Sequence, residues 1–269
     1  MFMIKSKPVV LVFSGSDPTG GAGLQADVLT LAELNCHPVT VVTSITCQDT
    51  EKVHSVTPVD VALIREQAKV LIEDIAIDVI KVGMIPSIEV LQEVILILRR
   101  FPTKPVVFDP VLSSGGGYIF GSNLVIESIV KDLLPRCLVI TPNTNELIAL
   151  SKATHKISVA SPPDVKASAL SKFGVNFVLL TGTHADRKDV ENSLFDEGGL
   201  VDSWTWPRLT NQFHGSGCTL ASAIAAFLAK GLSVPKAASR AQQYTWDSLN
   251  RGFSIGSGQL IPNRIYGSK

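Results

Sequence analysis

Hydrophobic residues recur along this chain in two rhythms. Short runs rich in valine, isoleucine and leucine read as strands over Val9–Ser14, Pro38–Ile45, Asp78–Val82, Pro105–Asp109, Leu138–Thr141 and Asn176–Thr181. Between them the spacing turns helical. Leu24, Val28, Leu31 and Ala32 fall on one helix face, and Val61, Ile64, Ala68, Leu71, Ile72 and Ile75 on the next. Ser87 and Ser122 read as N-caps of later helices, and the loop signal Ser161-Pro162-Pro163-Asp164 precedes another. Residues 217–230 are apolar nearly all round, which predicts a buried helix. Between Glu191 and Trp206 two short strands flank Glu197, Gly198 and Gly199, an antiparallel addition at a sheet edge. Strands alternating with helices in this way predict a parallel sheet covered on both faces. No repeat, charge block or low-complexity linker divides the chain, so residues 1–269 read as a single domain.

Composition narrows the functions open to such a fold. With 45% hydrophobic and 18% charged residues in 269, the chain has a core to fold around. Lys+Arg 24 balance Asp+Glu 24, so no global field holds a polyanion, and nucleic acid is excluded as the main partner. No apolar stretch approaches the roughly 18 residues that span a bilayer. The N-terminal MFMIKSKPVVLVF lacks a small-residue cleavage site and reads as a first strand rather than a signal peptide, which predicts a cytoplasmic protein. Cys36, Cys47, Cys137 and Cys218 form no CxxC pair and read as thiols, and the histidines show no ligand spacing for a transition metal.

Chemistry is then expected beyond the carboxyl ends of the strands, where open parallel sheets bind ligands. After the first strand comes Ser14-Gly15-Ser16-Asp17-Pro18-Thr19-Gly20-Gly21-Ala22-Gly23. Gly15 to Gly20 has Walker spacing, but Gly21 and Ala22 stand where Lys and Ser or Thr should be. A GxGxxA match from Gly21 begins too far past the strand for a dinucleotide fold and lacks the ribose-binding acid. A substrate loop and a packing turn both remain open. Asp109-Pro110 and Thr141-Pro142-Asn143-Thr144-Asn145-Glu146 each place a carboxylate at a strand end, and two such groups suit magnesium held partly through water. Glu146 also suits a helix N-terminus, and Asp109 a turn cap. The sharpest signal is Asn211-Gln212-Phe213-His214-Gly215-Ser216-Gly217-Cys218-Thr219 directly before the apolar helix. Backbone N–H groups there converge on an anion and the helix dipole adds positive potential, which also predicts a lowered thiol pKa for Cys218.

Taken together, these motifs resemble the hydroxymethylpyrimidine and phosphomethylpyrimidine kinases of thiamine biosynthesis, within the ribokinase-like superfamily. SGSDPTGGAGLQAD, KVGM at Lys81–Met84, DPV at Asp109–Val111, TPNTNE from Thr141 and HGSGCTLASAIAA from His214 stand in the family's order over nearly the whole chain. The resemblance implies a three-layer αβα sandwich with a mostly parallel sheet and no separate lid domain. It implies an often dimeric kinase that uses ATP and Mg2+ on a small pyrimidine, and then on its monophosphate. By matching positions, Gly15, Asp27, Gln48, Met84 and Val111 surround the aminopyrimidine, with Gln48 reading the ring. Gly215, Ser216 and Gly217 form the anion hole, and Cys218 stands where other superfamily members carry an aspartate base. Asn143 and Glu146 serve magnesium and phosphate, Thr181 and Gly182 the nucleotide, and Asp109 with Glu146 the metal.

Two segments depart from the family's pattern. Leu112-Ser113-Ser114-Gly115-Gly116-Gly117 replaces a segment like MVAKSG, and Thr181-Gly182-Thr183-His184 replaces KGGH, so two cations are missing from the expected phosphate path. The rival readings are a pyridoxal kinase of the same superfamily and a non-catalytic pyrimidine-binding protein; intact Asp109, Glu146 and Gly-Ser-Gly-Cys argue for turnover.

Overall fold

The computed structural model describes residues 7–114, 117–154, 157–182 and 188–267. Their backbone builds one nine-stranded sheet. The strands are β1 (Val9–Ser16), β2 (His37–Gln48), β3 (Val53–Pro58), β4 (Val79–Val82), β5 (Val106–Phe108), β6 (Val139–Ile140), β7 (Phe177–Leu180), β8 (Asp189–Asp196) and β9 (Gly199–Pro207). In space they run β3-β2-β1-β4-β5-β6-β7-β8-β9. The strands from β2 to β7 are parallel, whereas β3, β8 and β9 pair antiparallel at the edges. β8 and β9 are the edge hairpin expected around Glu197–Gly199.

The helices are α1 (Gly23–Glu33), α2 (Val61–Asp74), α3 (Ile88–Leu98), α4 (Asn123–Ser128), α5 (Thr144–Ala153), α6 (Pro163–Ser171), α7 (Ser216–Ala229) and α8 (Val234–Asn250). α4 runs on into a π turn over 129–133 and a 3-10 turn over 134–136. α1, α7 and α8 pack together on one face of the sheet, while α2 to α6 line up in sequence on the other. Because side chains alternate along a strand, β1 divides itself between two cores. Val10 and Val12 join Val79, Leu220 and Ile224 on the α7 side, and Leu11 and Phe13 join Ile80, Leu91 and Ile129 on the other. A three-layer αβα sandwich with a mostly parallel central sheet is thus what the chain forms.

Several local features depart from expectation. β2 does not stop at Ile45 but continues to Gln48, because β3, which the sequence reading missed, pairs with its end. Helix α8 was also missed; its interface with α7 is built on Ala237, Ala238 and Ala241, which form too weak an apolar stripe to stand out. Ser87 caps α3 by accepting from Val90 N–H. Ser122 occupies the N-cap of α4 without a side-chain hydrogen bond, and its carbonyl takes Val125 and Ile126 N–H instead. The chain reverses direction about β1: α1 leads to β2 on one side, and the route through α2 leads to β4 on the other. Such a switch point opens a crevice above the strand ends.

Candidate active site

Two glycine-rich turns close over that crevice and touch each other. The first runs from the end of β1 to α1, and the strand pair is already irregular there, with a register shift between Ser14 and Gly15. Asp17, 1% exposed, organises this turn: its carboxylate accepts from the N–H of Thr19 and of Ala22 and from the Thr19 hydroxyl. The second turn, before α7, contributes His214, whose Nε2 lies 2.8 Å from Asp17 Oδ2. Gly215 caps α7 with φ +76, a left-handed conformation, and a Cβ there would lie 2.0 Å from Gly21 O. No side chain fits between the turns.

α7 therefore begins with Ser216 and exposed Gly217, and its first-turn N–H groups have no partner within the helix and no side-chain cap among the described residues. Asp109, just past β5, lies directly beneath: a Cβ on Gly217 would sit 3.5 Å from Asp109 Oδ1, and the Cys218 side chain stands close enough for each group to feel the other's charge. Burial pushes the Asp109 carboxyl up to about 6 against the pull of Lys81. Cys218 departs from the sequence reading. Burial first, then the Asp109 charge, pushes its thiol up to about 12 against the pull of Lys81, so it holds its proton at neutral pH. The expected thiolate is absent.

Glu146 and Asn143 form a capping box at α5: Asn143 Oδ1 accepts from the N–H of Asn145 and Glu146, and Glu146 Oε2 accepts from Asn143 N–H at 2.8 Å. Burial, and next the Asp109 charge, push Glu146 up to about 8. Asp109 Oδ2 is buried with no hydrogen-bond partner among the described residues. Two buried carboxyls that disfavour each other's ionisation, one with an orphaned oxygen, fit a hard divalent cation. Among the described residues no group of three or more His, Cys, Asp or Glu converges, so water and phosphate oxygens would complete such a shell.

On the β1 side, Gly15 and Met84 meet: a Cβ on Gly15 would lie 2.8 Å from Met84 Cε and 2.6 Å from Ser44 Oγ. Gln48 is half-buried at the end of β2, its Nε2 donating to Thr46 Oγ1 at 2.9 Å. Val111 follows Asp109, and its N–H donates to the Asp109 carbonyl. Asp27 does not belong to this lining. It is fully buried, with Oδ2 accepting from Lys81 Nζ at 2.9 Å and Oδ1 from the Ser222 hydroxyl at 2.7 Å, so its carboxylate is already taken. Gly182 is likewise engaged elsewhere: its N–H donates to Asn192 Oδ1 and its Cα packs against the Glu191 backbone. Thr181 bridges to Asn143 beside the capping box. Thr183, His184, Gly115 and Gly116 lie outside the described residues.

Sequence reasoning missed two charged residues. Lys81, on β4, is wholly buried beneath Cys218 and Asp109. Burial alone would lower its pKa, but the paired Asp27 outweighs that and keeps it charged. The signal was a lysine in Val79-Ile80-Lys81-Val82, where both faces demand apolar residues. Arg264 is 2% exposed and reaches both glycine turns from below. Nothing in its local sequence marked it.

Comparison with solved structures places this site, a buried acid beneath a helix N-terminus at the switch point of a parallel sheet, among the ribokinase-like small-molecule kinases. A sequence model described as phosphomethylpyrimidine kinase matches residues 17–263, stopping one residue short of Arg264. The hydroxymethylpyrimidine/phosphomethylpyrimidine kinase of Streptomyces coelicolor is 36% identical over 254 residues, covering 93% of this chain and 92% of its own. Among solved structures, an ADP complex of Bacillus subtilis pyridoxal kinase superposes with a TM-score of 0.86 at 26% identity, over 96% of this chain and 98% of that one. The phosphomethylpyrimidine kinase of Clostridium difficile 630 superposes with 0.74 at 30% identity, over 89% and 98%. This chain belongs to the phosphomethylpyrimidine kinase family.

Proposed function

We propose that this protein moves the γ-phosphoryl group of ATP to the hydroxymethyl oxygen of 4-amino-5-hydroxymethyl-2-methylpyrimidine, and then phosphorylates the monophosphate, in thiamine biosynthesis. The observation that carries this reading is the meeting of Asp109 with Gly217 and Cys218 at the N-terminus of α7. Phosphoryl transfer depends on positioning and charge neutralisation, and the first-turn N–H groups with the α7 dipole supply both for an anion held there. Gly15, Met84, Gln48 and Val111 line the side from which the ring approaches, with the Gln48 amide reading its edge. Asp27 acts from behind, holding Lys81 charged beneath the reacting atoms. With the Cys218 thiol protonated, the hydroxyl proton passes late, as a loose transition state allows, to an oxygen of the transferred phosphoryl group.

Asp109 and Glu146 are the residues that would hold magnesium, which when bound neutralises nucleotide phosphates. Thr181 and Asn143 stand beside them for the nucleotide. The reading extends to one kinase domain through the chain, a homodimer and a cytoplasmic location; these rest on the family resemblance, and no described helix is long and apolar enough to cross a membrane.

A second reading, pyridoxal phosphorylation, is favoured by the higher TM-score of the pyridoxal kinase. One experiment separates the two: purified protein, ATP and Mg2+ are given the hydroxymethylpyrimidine, its monophosphate, pyridoxal or ribose, and products are resolved by mass. Phosphorylated pyrimidine, in preference to pyridoxal phosphate, is the expected result; turnover of pyridoxal alone selects the second reading, and no transfer to any acceptor removes both.

A further inference from the structure

Arg264 sits in a C-terminal segment that runs back beneath both glycine turns. Its backbone is fixed from two sides. Leu260 exchanges hydrogen bonds with Gln212 and His214 ahead of α7, and α8 takes the rest, with Ser248 O accepting from Asn263 N–H and the Tyr244 hydroxyl donating to Arg264 O at 2.8 Å. The side chain is held as firmly. Nη2 donates to Gly21 O at 2.5 Å and reaches Gly215 O at 3.4 Å, and Nε donates to Thr219 Oγ1 at 2.9 Å. Thr219 Oγ1 in turn donates to Gly215 O at 2.8 Å.

These bonds set the direction of two peptide planes. A peptide is planar and trans, so drawing a carbonyl to one side turns the next N–H to the other. Gly215 C=O accepts from the Thr219 N–H and hydroxyl and is reached by Arg264 Nη2, so Ser216 N–H, on the other side of that peptide, points away from them. With Gly21 C=O pulled the same way, Ala22 N–H points to Asp17 Oδ2, which it reaches at 2.7 Å. One guanidinium thus fixes both turns.

Its charge has a second consequence. A buried guanidinium stays protonated, and its field reaches Cys218, Asp27 and Asp17. Nη1 is buried and makes no hydrogen bond among the described residues, so the positive charge is not neutralised by a contacting carboxylate. It stands behind the α7 N-terminus and adds to the potential felt by an anion in front of it. The chain lacks lysines at the two positions where the family resemblance expects them, near Ser114 and Thr181.

We propose that Arg264 is the positioning residue of the anion hole: its guanidinium helps to aim Ser216 N–H, at the head of α7, at the transferring phosphoryl and supplies a fixed cation behind it. This rests on the phosphotransfer reading. Arg264→Gln keeps donors for the carbonyls but loses the charge and the fork, and Arg264→Lys keeps the charge alone. Thermal melting establishes that each variant is folded, and steady-state kinetics then give kcat and both KM values, with calorimetry giving the affinity for tripolyphosphate. Arg264→Gln is expected to lower kcat about 10- to 100-fold, the scale of a misplaced transition-state contact, with the acceptor KM little changed. Arg264→Lys should recover part of that loss. Full kcat in Arg264→Gln, or a loss shared equally by kcat, acceptor KM and melting temperature with no recovery by Lys, overturns the proposal. Should Arg264→Gln fail to fold, Arg264→Lys decides: lowered kcat at unchanged acceptor KM supports it, and wild-type kcat refutes it. If the wild-type protein transfers phosphate to no acceptor, the functional reading has failed, and tripolyphosphate affinity judges Arg264 by itself: weaker binding in the folded variant supports the anion-site role, and equal binding overturns it.

Discussion

His214 Nε2 and Asp17 Oδ2 lie 2.8 Å apart although 197 residues separate them in sequence. The contact joins the turn after β1 to the turn before α7. Burial by itself would raise the Asp17 pKa, but the bonds from His214 and Thr19 outweigh it and hold the carboxyl below its ordinary value. A depressed folded-state pKa contributes stability that is present above the unfolded value of about 3.9 and lost as pH falls through the folded one. Asp17→Asn is therefore expected to be less stable than wild type at neutral pH, with the gap narrowing below about pH 4. Urea midpoints along a pH series measure this; a gap that stays constant in acid means the ionised carboxylate is not the source.

The two glycines of the α7 turn should differ sharply on replacement by alanine. Gly215→Ala carries a left-handed φ, costing about 1 to 2 kcal/mol, and its Cβ meets Gly21 O, so the turns must part. Turnover should fall at least about 100-fold, since the anion donors move with the turn. Gly217 has no such backbone demand, and its Cβ would make ordinary contact with Asp109, so Gly217→Ala should fold as well as wild type. Its expected defect is in kcat. Melting curves and initial rates on both variants test the contrast.

Cys218 is buried with its thiol pushed up to about 12, whereas Cys47 is exposed. Brief iodoacetamide treatment at pH 7.5 should alkylate Cys47 and spare Cys218, as read by peptide mass. No limb of the pH–rate profile between pH 6 and 9 should belong to the thiol. Cys218→Ser keeps a small protonated group beside Asp109 and should lose about 10-fold or less in kcat, because the thiol is not the group that takes the proton. Wild-type activity in Cys218→Ala with an unchanged profile would remove the thiol from the chemistry and leave the helix terminus as the principal contributor.

Lys81 and Asp27 form an ion pair with both side chains fully buried. Removing one partner strands a charge in the core, so Lys81→Met should destabilise the fold by about 3 to 5 kcal/mol. Lys81→Met combined with Asp27→Leu should cost less than Lys81→Met alone, because no unpaired charge remains. Denaturant unfolding of the single and double variants decides; additive losses would mean the pair is not coupled.

Glu146 has two roles that one substitution separates. Glutamine at the third helical position preserves a capping box, so Glu146→Gln should melt close to wild type. Its turnover should nevertheless fall, and more Mg2+ should be needed for half-maximal rate. Asp109→Asn should behave similarly. If both variants keep the wild-type magnesium dependence, the carboxylates are structural.

Local chemistry determined much of this protein in advance. β-Branched runs and helical periodicity are written residue by residue, so the alternating architecture, the buried α7 helix and the β8–β9 hairpin could be read from composition and spacing alone. The glycine turns could be read as well, because backbone that must bend tightly or approach an anion uses glycine wherever it occurs. What the chain order could not disclose were relations between distant residues. β3 exists because the end of β2 offers it an edge, and α8 because α7 gives its alanines a surface. Asp27 looked like a ligand until Lys81 and Ser222 claimed its carboxylate, and Cys218 looked acidic until burial pushed its thiol up. Arg264 carries no local signature and Lys81 only its misfit in an apolar strand, since the role of a buried cation is defined by the carbonyls and carboxylates around it. Desolvation and pairing arise only when the layers close, and they decided which charged groups line the crevice and which hold it in shape.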